Sequence, residues 1–289
     1  MPGMSMYVHS VLLSGVAGYV DAAGFIALIG LLPAHVTGEL IGEALAVTSG
    51  HLSEHMTRLW VLPVFVGSVM TATLVARARR RKGQRALTGL LVLVTGALAM
   101  FSVSDALSRV LHEGPHLAIL LSGGSAVAAM AFQNSLMRES LAASCPTTVM
   151  TGNLTQVIID IVDYFANMIM RPGKRDRRPR ARLGSTAASF GAFMACAVLG
   201  GCLARCFGSL SVALPALVTF SLAFVAWRED RKRYGTTASV AKIDAAPPLP
   251  SFDVWPESMR TPTVADAQRP ALKRTVSGTQ LSTRVRDGK

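Results

Sequence analysis

The chain of 289 residues carries a net charge of +12, with 51% hydrophobic and only 16% charged residues and a mean hydropathy of +0.41. That balance excludes an ordinary soluble domain and suits a chain whose main solvent is lipid. The excess of Lys and Arg collects at the ends of apolar segments instead of covering a face, which argues against a nucleic-acid partner and for a bilayer.

About 20 mostly apolar residues cross a hydrocarbon core of roughly 30 Å as a helix. Six stretches meet this rule: about 11–32, 59–76, 87–107, 117–137, 184–206 and 209–227. They lack the alternating pattern of a membrane barrel, and lipid offers the backbone no hydrogen-bond partners, so the expected fold class is an all-α polytopic membrane bundle. No Lys or Arg precedes Arg58, so the first stretch is expected to stay as a span and not to be a cleaved leader.

Three basic runs set the expected topology: Arg77–Arg85, Arg171–Arg182 and Arg228–Arg233. Positive loops stay cytoplasmic, so all three belong on one side. Span 59–76 then runs inward, 87–107 outward and 117–137 inward. The apolar segment 146–168 cannot cross without exporting the run that follows it, and is expected to be re-entrant or interfacial. Spans 184–206 and 209–227 go out and return. In the first half, 35–50 is expected to dip in from the outer side. Both termini are expected in the cytoplasm.

A repeat supports the same scheme. Pro33–Leu40 (PAHVTGEL) returns as Pro146–Leu154 (PTTVMTGNL) with one residue inserted, and Ala17–Phe25 (AGYVDAAGF) lies opposite Met130–Met137 (MAFQNSLM), pairing Asp21 with Asn134. Each half reads as span, broken segment, span, span. Three full crossings per half make the halves, about 8–110 and 116–228 of a transmembrane domain 1–234, inverted relative to each other. In each Pro-x(3 or 4)-Thr-Gly, proline breaks the chain, Thr37 or Thr151 is expected to cap the next helix, and Gly38 or Gly152 to permit close approach. Inverted repeats with interrupted helices recur among secondary transporters; the alternative is a packing hinge where glycine lets helices touch.

The polar residues of these segments are the candidate substrate- or ion-binding set: Asp21, Thr37, Gly38, Glu39, Gln133, Asn134, Thr151, Gly152 and Asn153. A carboxylate inside a span is expensive on any insertion scale and normally faces a partner or water, so Asp21 is read as functional, the alternative being a structural hydrogen bond. Glu39 and Glu43 share a helical face, where one proton or a cation would be held between them, unless that face is simply solvated. Thr155 and Gln156 belong to the uncharged counterpart, and Asp160 and Asp163 are expected to mark the interfacial face of their helix.

Other residue types point to ordinary roles. Cys145, Cys196, Cys202 and Cys206 have no metal-ligand spacing and read as packing residues. His51/His55 and His112/His116 have helical i, i+4 spacing without further ligands and read as solvated loop residues. No nucleophile, metalloprotease, phosphate-loop or dinucleotide motif occurs, so neither an enzyme nor a cofactor or metal is expected.

At GYVDAAGF, HVTGEL, AMAFQNSLMR and VMTGNLTQ the chain resembles the YoaK-like family of bacterial membrane proteins, a domain-of-unknown-function family, over about residues 8–228. The resemblance implies a bacterial inner-membrane protein of about six helices and brings no activity with it. Its pattern falls on Gly18, Tyr19, Asp21, Thr37, Gly38, Gln133, Asn134, Thr151 and Gly152. Where relatives carry an amide after the first Thr-Gly, this chain has Glu39. Residues 235–289 turn to Pro, Ser, Thr and charge and are expected to be a disordered cytoplasmic tail, with Phe252 and Trp255 as its one candidate docking motif.

The expected function is transport of a small solute or ion between the halves, the alternative being a scaffold or sensor whose tail recruits a partner. The expected partners are the bilayer, the small solute or ion and further copies of the chain.

Overall fold

The computed structural model describes residues 2–28, 30–49, 60–110, 115–170 and 177–237. All belong to the unit Met1–Ser239, separate from Val240–Lys289. Residues 238–289, His51, His55 and His112 lie outside the described residues, as do the side chains of Glu43 and His116.

The described residues form helices and no strands. In chain order they are α1 (Pro2–Ala27), α2 (Val36–Ser49), α3 (Val61–Arg81), α4 (Ala86–Val110), α5 (Pro115–Ser140), α6 (Met150–Met170), α7 (Arg177–Phe207), a 3-10 turn (Gly208–Val212) and α8 (Ala213–Thr237). Four stretches are long and apolar enough to cross a bilayer: Met6–Ala27, Val61–Arg81, Ala86–Ser104 and Arg182–Lys232. The last holds both α7 and α8. This is an all-helical membrane protein. Helix α5 is long but is not among these four, since Ser122, Gly123, Gly124, Ser125, Gln133, Asn134 and Ser135 interrupt its apolar run.

The first expected span stops five residues early, at Ala27. Gly30 ends it with a left-handed φ of 86°, and its N–H closes on the Phe25 carbonyl at 2.8 Å, a Gly-terminated helix end. Pro33 then opens a turn, closed by the His35 N–H on the Leu32 carbonyl at 3.0 Å.

The core is built from small and aliphatic residues. Val20, Leu98, Phe101 and Val127 are completely buried around Val16, Met130 and Phe193, and a second cluster gathers Leu13, Ala72, Leu90, Leu136 and Leu222. The outward face of α3, by contrast, presents Leu62, Val66, Met70 and Leu74 at four-residue spacing, 42–63% exposed. Such a stripe would be a liability in water and is the expected face toward lipid.

The tightest crossing joins α1 to α7. A Cβ on Gly18 would lie 2.2 Å from the Phe193 carbonyl oxygen, and one on Gly200 would lie 2.5 Å from the Tyr19 carbonyl oxygen. Backbones this close need glycine, the small-residue packing typical of membrane helices. Gly15 meets Cys196 and Gly201 meets Ala22 and Ile26, so the two helices run parallel.

One end of the bundle, here the base, gathers the arginines. A cavity of about 760 Å³ there is lined from the start of α1 (Met6, His9), the end of α3 (Arg80), the end of α5 (Glu139) and the end of α8 (Lys232). Ser185 and Ser189 of α7 share a smaller cavity with Met6 and Ser10, which brings the start of α7 to the same end. Helices α1, α4 and α7 therefore run away from the base, and α3, α5 and α8 run toward it. Helix α1 packs on α7, α3 on α5, α4 on both α5 and α8, and α6 on α7.

Candidate functional site

The two segments carrying the Pro…Thr-Gly motifs fold back along the helix that precedes them, and the polar residues of each half gather on its own return. After Gly30 the chain returns along α1, with Pro33 Cδ only 2.9 Å from where a Cβ on Gly24 would stand. Asp21, 4% exposed, holds this return. Its Oδ1 accepts from the Ala34 N–H at 2.7 Å, and its Oδ2 accepts from His35 Nδ1 at 2.5 Å. Glu39, one turn into α2, reaches back and accepts the Leu32 N–H at 2.8 Å. Two carboxylates thus satisfy backbone donors that the break strands in a buried setting, which is where charge-assisted bonds contribute most.

The second return mirrors the first with neutral groups. Asn134 Oδ1 accepts from Thr148 Oγ1 at 3.4 Å, a long contact. His35 and Thr148 each stand two residues after their proline, so Asn134–Thr148 is the counterpart of Asp21–His35. Asn153, the counterpart of Glu39, also reaches back: its Nδ2 donates to the Pro146 carbonyl at 2.7 Å, and Cys145 Sγ donates to its Oδ1 at 3.0 Å. Gln133, fully buried, ties this return to the first half by donating to the Leu13 carbonyl at 2.8 Å and to Thr147 Oγ1 at 3.1 Å. Its Oε1 is buried without a hydrogen-bond partner.

Depth along the bundle follows from these contacts. Helix α2 begins beside Asp21, above the middle of α1, and leads to the start of α3 at the end opposite the base. Helix α6 begins beside Gln133 and Asn134 and runs back to the base, where Asp160 pairs with Arg182 near the start of α7. The guanidinium Nε lies 3.1 Å from each Asp160 oxygen, and Gln156 Nε2 donates to the same carboxylate at 2.8 Å.

Three expectations are corrected. Helices α2 and α6 start at Val36 and Met150, so Thr37 and Thr151 lie inside the first turn, exposed, and cap nothing. The caps of these breaks come instead from Asp21, Glu39 and Asn153, because a longer side chain reaches the stranded groups that a threonine at the second helical position faces away from. Gly38 permits no close approach, since a Cβ there would meet nothing within 4 Å, and one on Gly152 would meet only Val149 Cγ1, at 3.4 Å. Asp160, expected on an interfacial face, is fully buried against Arg182, while Asp163 is exposed. Glu39 is 5% exposed and turned into the break, while the side chain of Glu43, expected to share its face, lies outside the described residues. Thr155 is exposed and bonds only to the Thr151 carbonyl, at 2.9 Å.

Thr37→Ala and Thr151→Ala are accordingly expected to change stability by less than about 0.5 kcal/mol, where loss of a true cap costs about 1 kcal/mol. Thermal unfolding in detergent measures the difference.

Tyr19, noted only as part of a pattern, donates from its buried hydroxyl to the Ser211 carbonyl at 2.9 Å and ties α1 to the 3-10 turn. His35, Thr147, Thr148 and Arg182 were not among the candidates. The first three could have been found by carrying the repeat alignment through the positions between proline and threonine. Among the described side chains no cluster of His, Cys, Asp or Glu could hold a metal ion, and Cys145, Cys196, Cys202 and Cys206 are all free.

No curated protein and no solved structure matches the chain. A family sequence profile does, across both returns and nearly every helix described above, from residue 9 to residue 225. On that match the chain belongs to the family described as "Protein of unknown function (DUF1275)".

Proposed function

We propose that the protein is a transporter of a small solute or ion in a bacterial cytoplasmic membrane, built from two inverted halves of three crossings each, with α2 and α6 as re-entrant helices. The observation that carries this reading is the equivalence of the two returns: Asp21–His35 and Asn134–Thr148 stand at matching positions in segments that enter from opposite ends of the bundle. Helix packing supports it. Exchanging the halves turns α1·α7 into α5·α3, α4·α5 into α8·α1 and α2·α3 into α6·α7, all of which are packed pairs, and leaves α4·α8 and α1·α5 unchanged. The pair α3·α4 is the exception, its counterpart being bridged by the 3-10 turn. On this reading the base is cytoplasmic, because it carries the arginines. Arg231 there stacks 4.4 Å over the Trp227 ring and Arg228 lies 5.8 Å from the Phe224 ring, an aromatic and basic pairing suited to the headgroup layer.

Inverted halves with interrupted helices place a pathway at their interface. The ionisable return, Asp21 with His35, is the natural place for a proton or cation to be exchanged, and the neutral return of Asn134 and Thr148 supplies hydrogen bonds to an uncharged part of a solute.

The experiment is ion flux in proteoliposomes loaded with a pH-sensitive dye under imposed Na⁺, K⁺ or pH gradients. Protein-dependent flux, reduced at least about tenfold in Asp21→Asn, is expected. Rates equal to those of empty vesicles under every gradient, in folded protein, would count against ion coupling.

A second reading is favoured by one observation: Asp21, Glu39 and Asn153 all bond the chain's own break. If they serve only to hold the fold, the protein is a membrane scaffold or sensor. Asp21→Asn then leaves the cellular phenotype intact, while removal of 235–289 abolishes it.

A further inference from the structure

One set of polar contacts at the base crosses from the α3–α4 hairpin to α5 or α8. Arg80, at the end of α3, meets Glu139 of α5 twice, at the carboxylate and at the carbonyl oxygen, both 2.7 Å away. Arg85, in the α3–α4 turn, lies 3.2 Å from Glu229 of α8. Asp230 is the buried node, with its side chain 8% exposed. It accepts from Thr88 Oγ1 at 2.7 Å and is flanked by the guanidinium groups of Arg79 and Arg85 at 3.9 and 3.8 Å.

The run Arg228–Arg233, which is basic on balance in the sequence, is sorted by sign around α8. Glu229 and Asp230 turn toward the hairpin, while Arg228 and Arg231 lie over Phe224 and Trp227. Arg80, Arg85, Glu139 and Glu229 all line the 760 Å³ cavity, together with the start of α1. Each of the two guanidinium groups there already faces a carboxylate, so the lining is not arranged to receive an anion. It joins two bodies.

We infer that these pairs form an ionic latch between the two halves of the molecule, centred on Asp230, which holds the cavity closed to the interior at the arginine-rich end. The inference rests on the division into halves proposed above. The α3–α4 hairpin belongs to the first half, and α5 and α8 belong to the second. Moving one half against the other at this end requires separating Arg80 from Glu139 and withdrawing Asp230 from Thr88 and from the two guanidinium groups beside it. Interfaces of this kind repack between discrete arrangements and do not deform continuously. The exposed members are open to screening by salt, while the buried Asp230 is much less so.

The test reads opening directly and needs no solute. With the native cysteines replaced, Ser140→Cys places a thiol in the cavity wall, at a position where the native side-chain oxygen is buried. Its rate of reaction with a membrane-impermeant maleimide is measured in the reference protein and with Asp230→Asn or Glu139→Gln added. Asp230→Asn retains an acceptor for Thr88 and so separates loss of charge from loss of the fold. Each variant is expected to react about fivefold to tenfold faster. Reversal of the exposed pair, Arg80→Glu with Glu139→Arg, is expected to return the rate to the reference, and high salt to accelerate the reference itself. Unchanged rates in both single variants, or a reversed pair no slower than Glu139→Gln alone, would overturn the latch. Faster labelling without flux of any ion or solute would leave the latch standing and remove the transport reading; the converse result would do the opposite.

Discussion

Asp21→Ala is expected to be the most destabilising alanine substitution in the first half. It strands the Ala34 N–H, which costs about 1–3 kcal/mol for a buried unsatisfied group, and removes a charge-assisted bond to His35 worth about 1.5–3 kcal/mol. Asp21→Asn, which keeps one acceptor, is expected to lose no more than about half of this. Unfolding of the detergent-solubilised protein, followed by helical circular dichroism, gives both values. Equal stability of Asp21→Ala and the parent would show that the return does not depend on the carboxylate. The equivalent change in the second half, Asn134→Ala, is expected to be milder, because the 3.4 Å contact to Thr148 is a weak one.

Gly18→Leu is expected to abolish the folded state, and Gly18→Ala to cost about 1–3 kcal/mol by overpacking. A side chain at this position would be driven into the Phe193 carbonyl, and the α1–α7 crossing has no flexible neighbour to yield there. Gly191→Ala is the internal control. It lies on α7 with nothing within 4 Å of its Cβ, so alanine is expected to stabilise it by about 0.5–1 kcal/mol through helix propensity alone. Opposite signs at two glycines of one helix pair distinguish a packing requirement from a general intolerance of substitution.

Much of the architecture was legible because membrane helices announce themselves by length and apolar content. The segments expected at 87–107, 117–137 and 184–206 fall inside α4, α5 and α7, and those expected at 59–76 and 209–227 overlap most of α3 and the start of α8. The returns were legible through proline and through the repeat, which paired Asp21 with Asn134 before any contact was visible. What the sequence concealed was which side chain serves which donor. Threonine before glycine is a sound cap signal on its own, but the helices begin two residues earlier than that reading needs. The capping task passes to Glu39 and Asn153, one turn on, and to Asp21, thirteen residues before the Ala34 N–H it accepts. Such contacts depend on the chain doubling back, a tertiary fact without local periodicity. Arg182 was hidden for a related reason: within a run of arginines nothing marks the one that turns toward Asp160. The acids of Arg228–Arg233 were masked in the same way, since net charge over a short run does not reveal that α8 sorts its signs onto different faces.

The central claim is that α6 returns to the end from which it came, so that the two halves are inverted. The most direct measurement is the sidedness of single cysteines at Thr48, Gln84, Ser144 and Gly173 in a protein otherwise free of cysteine, probed from each side of sealed vesicles with an impermeant thiol reagent. The account predicts labelling of Gln84, Ser144 and Gly173 from the cytoplasmic side and of Thr48 from the opposite side. Labelling of Gly173 from the side that labels Thr48 would make α6 a full crossing, end the inversion and contradict the account.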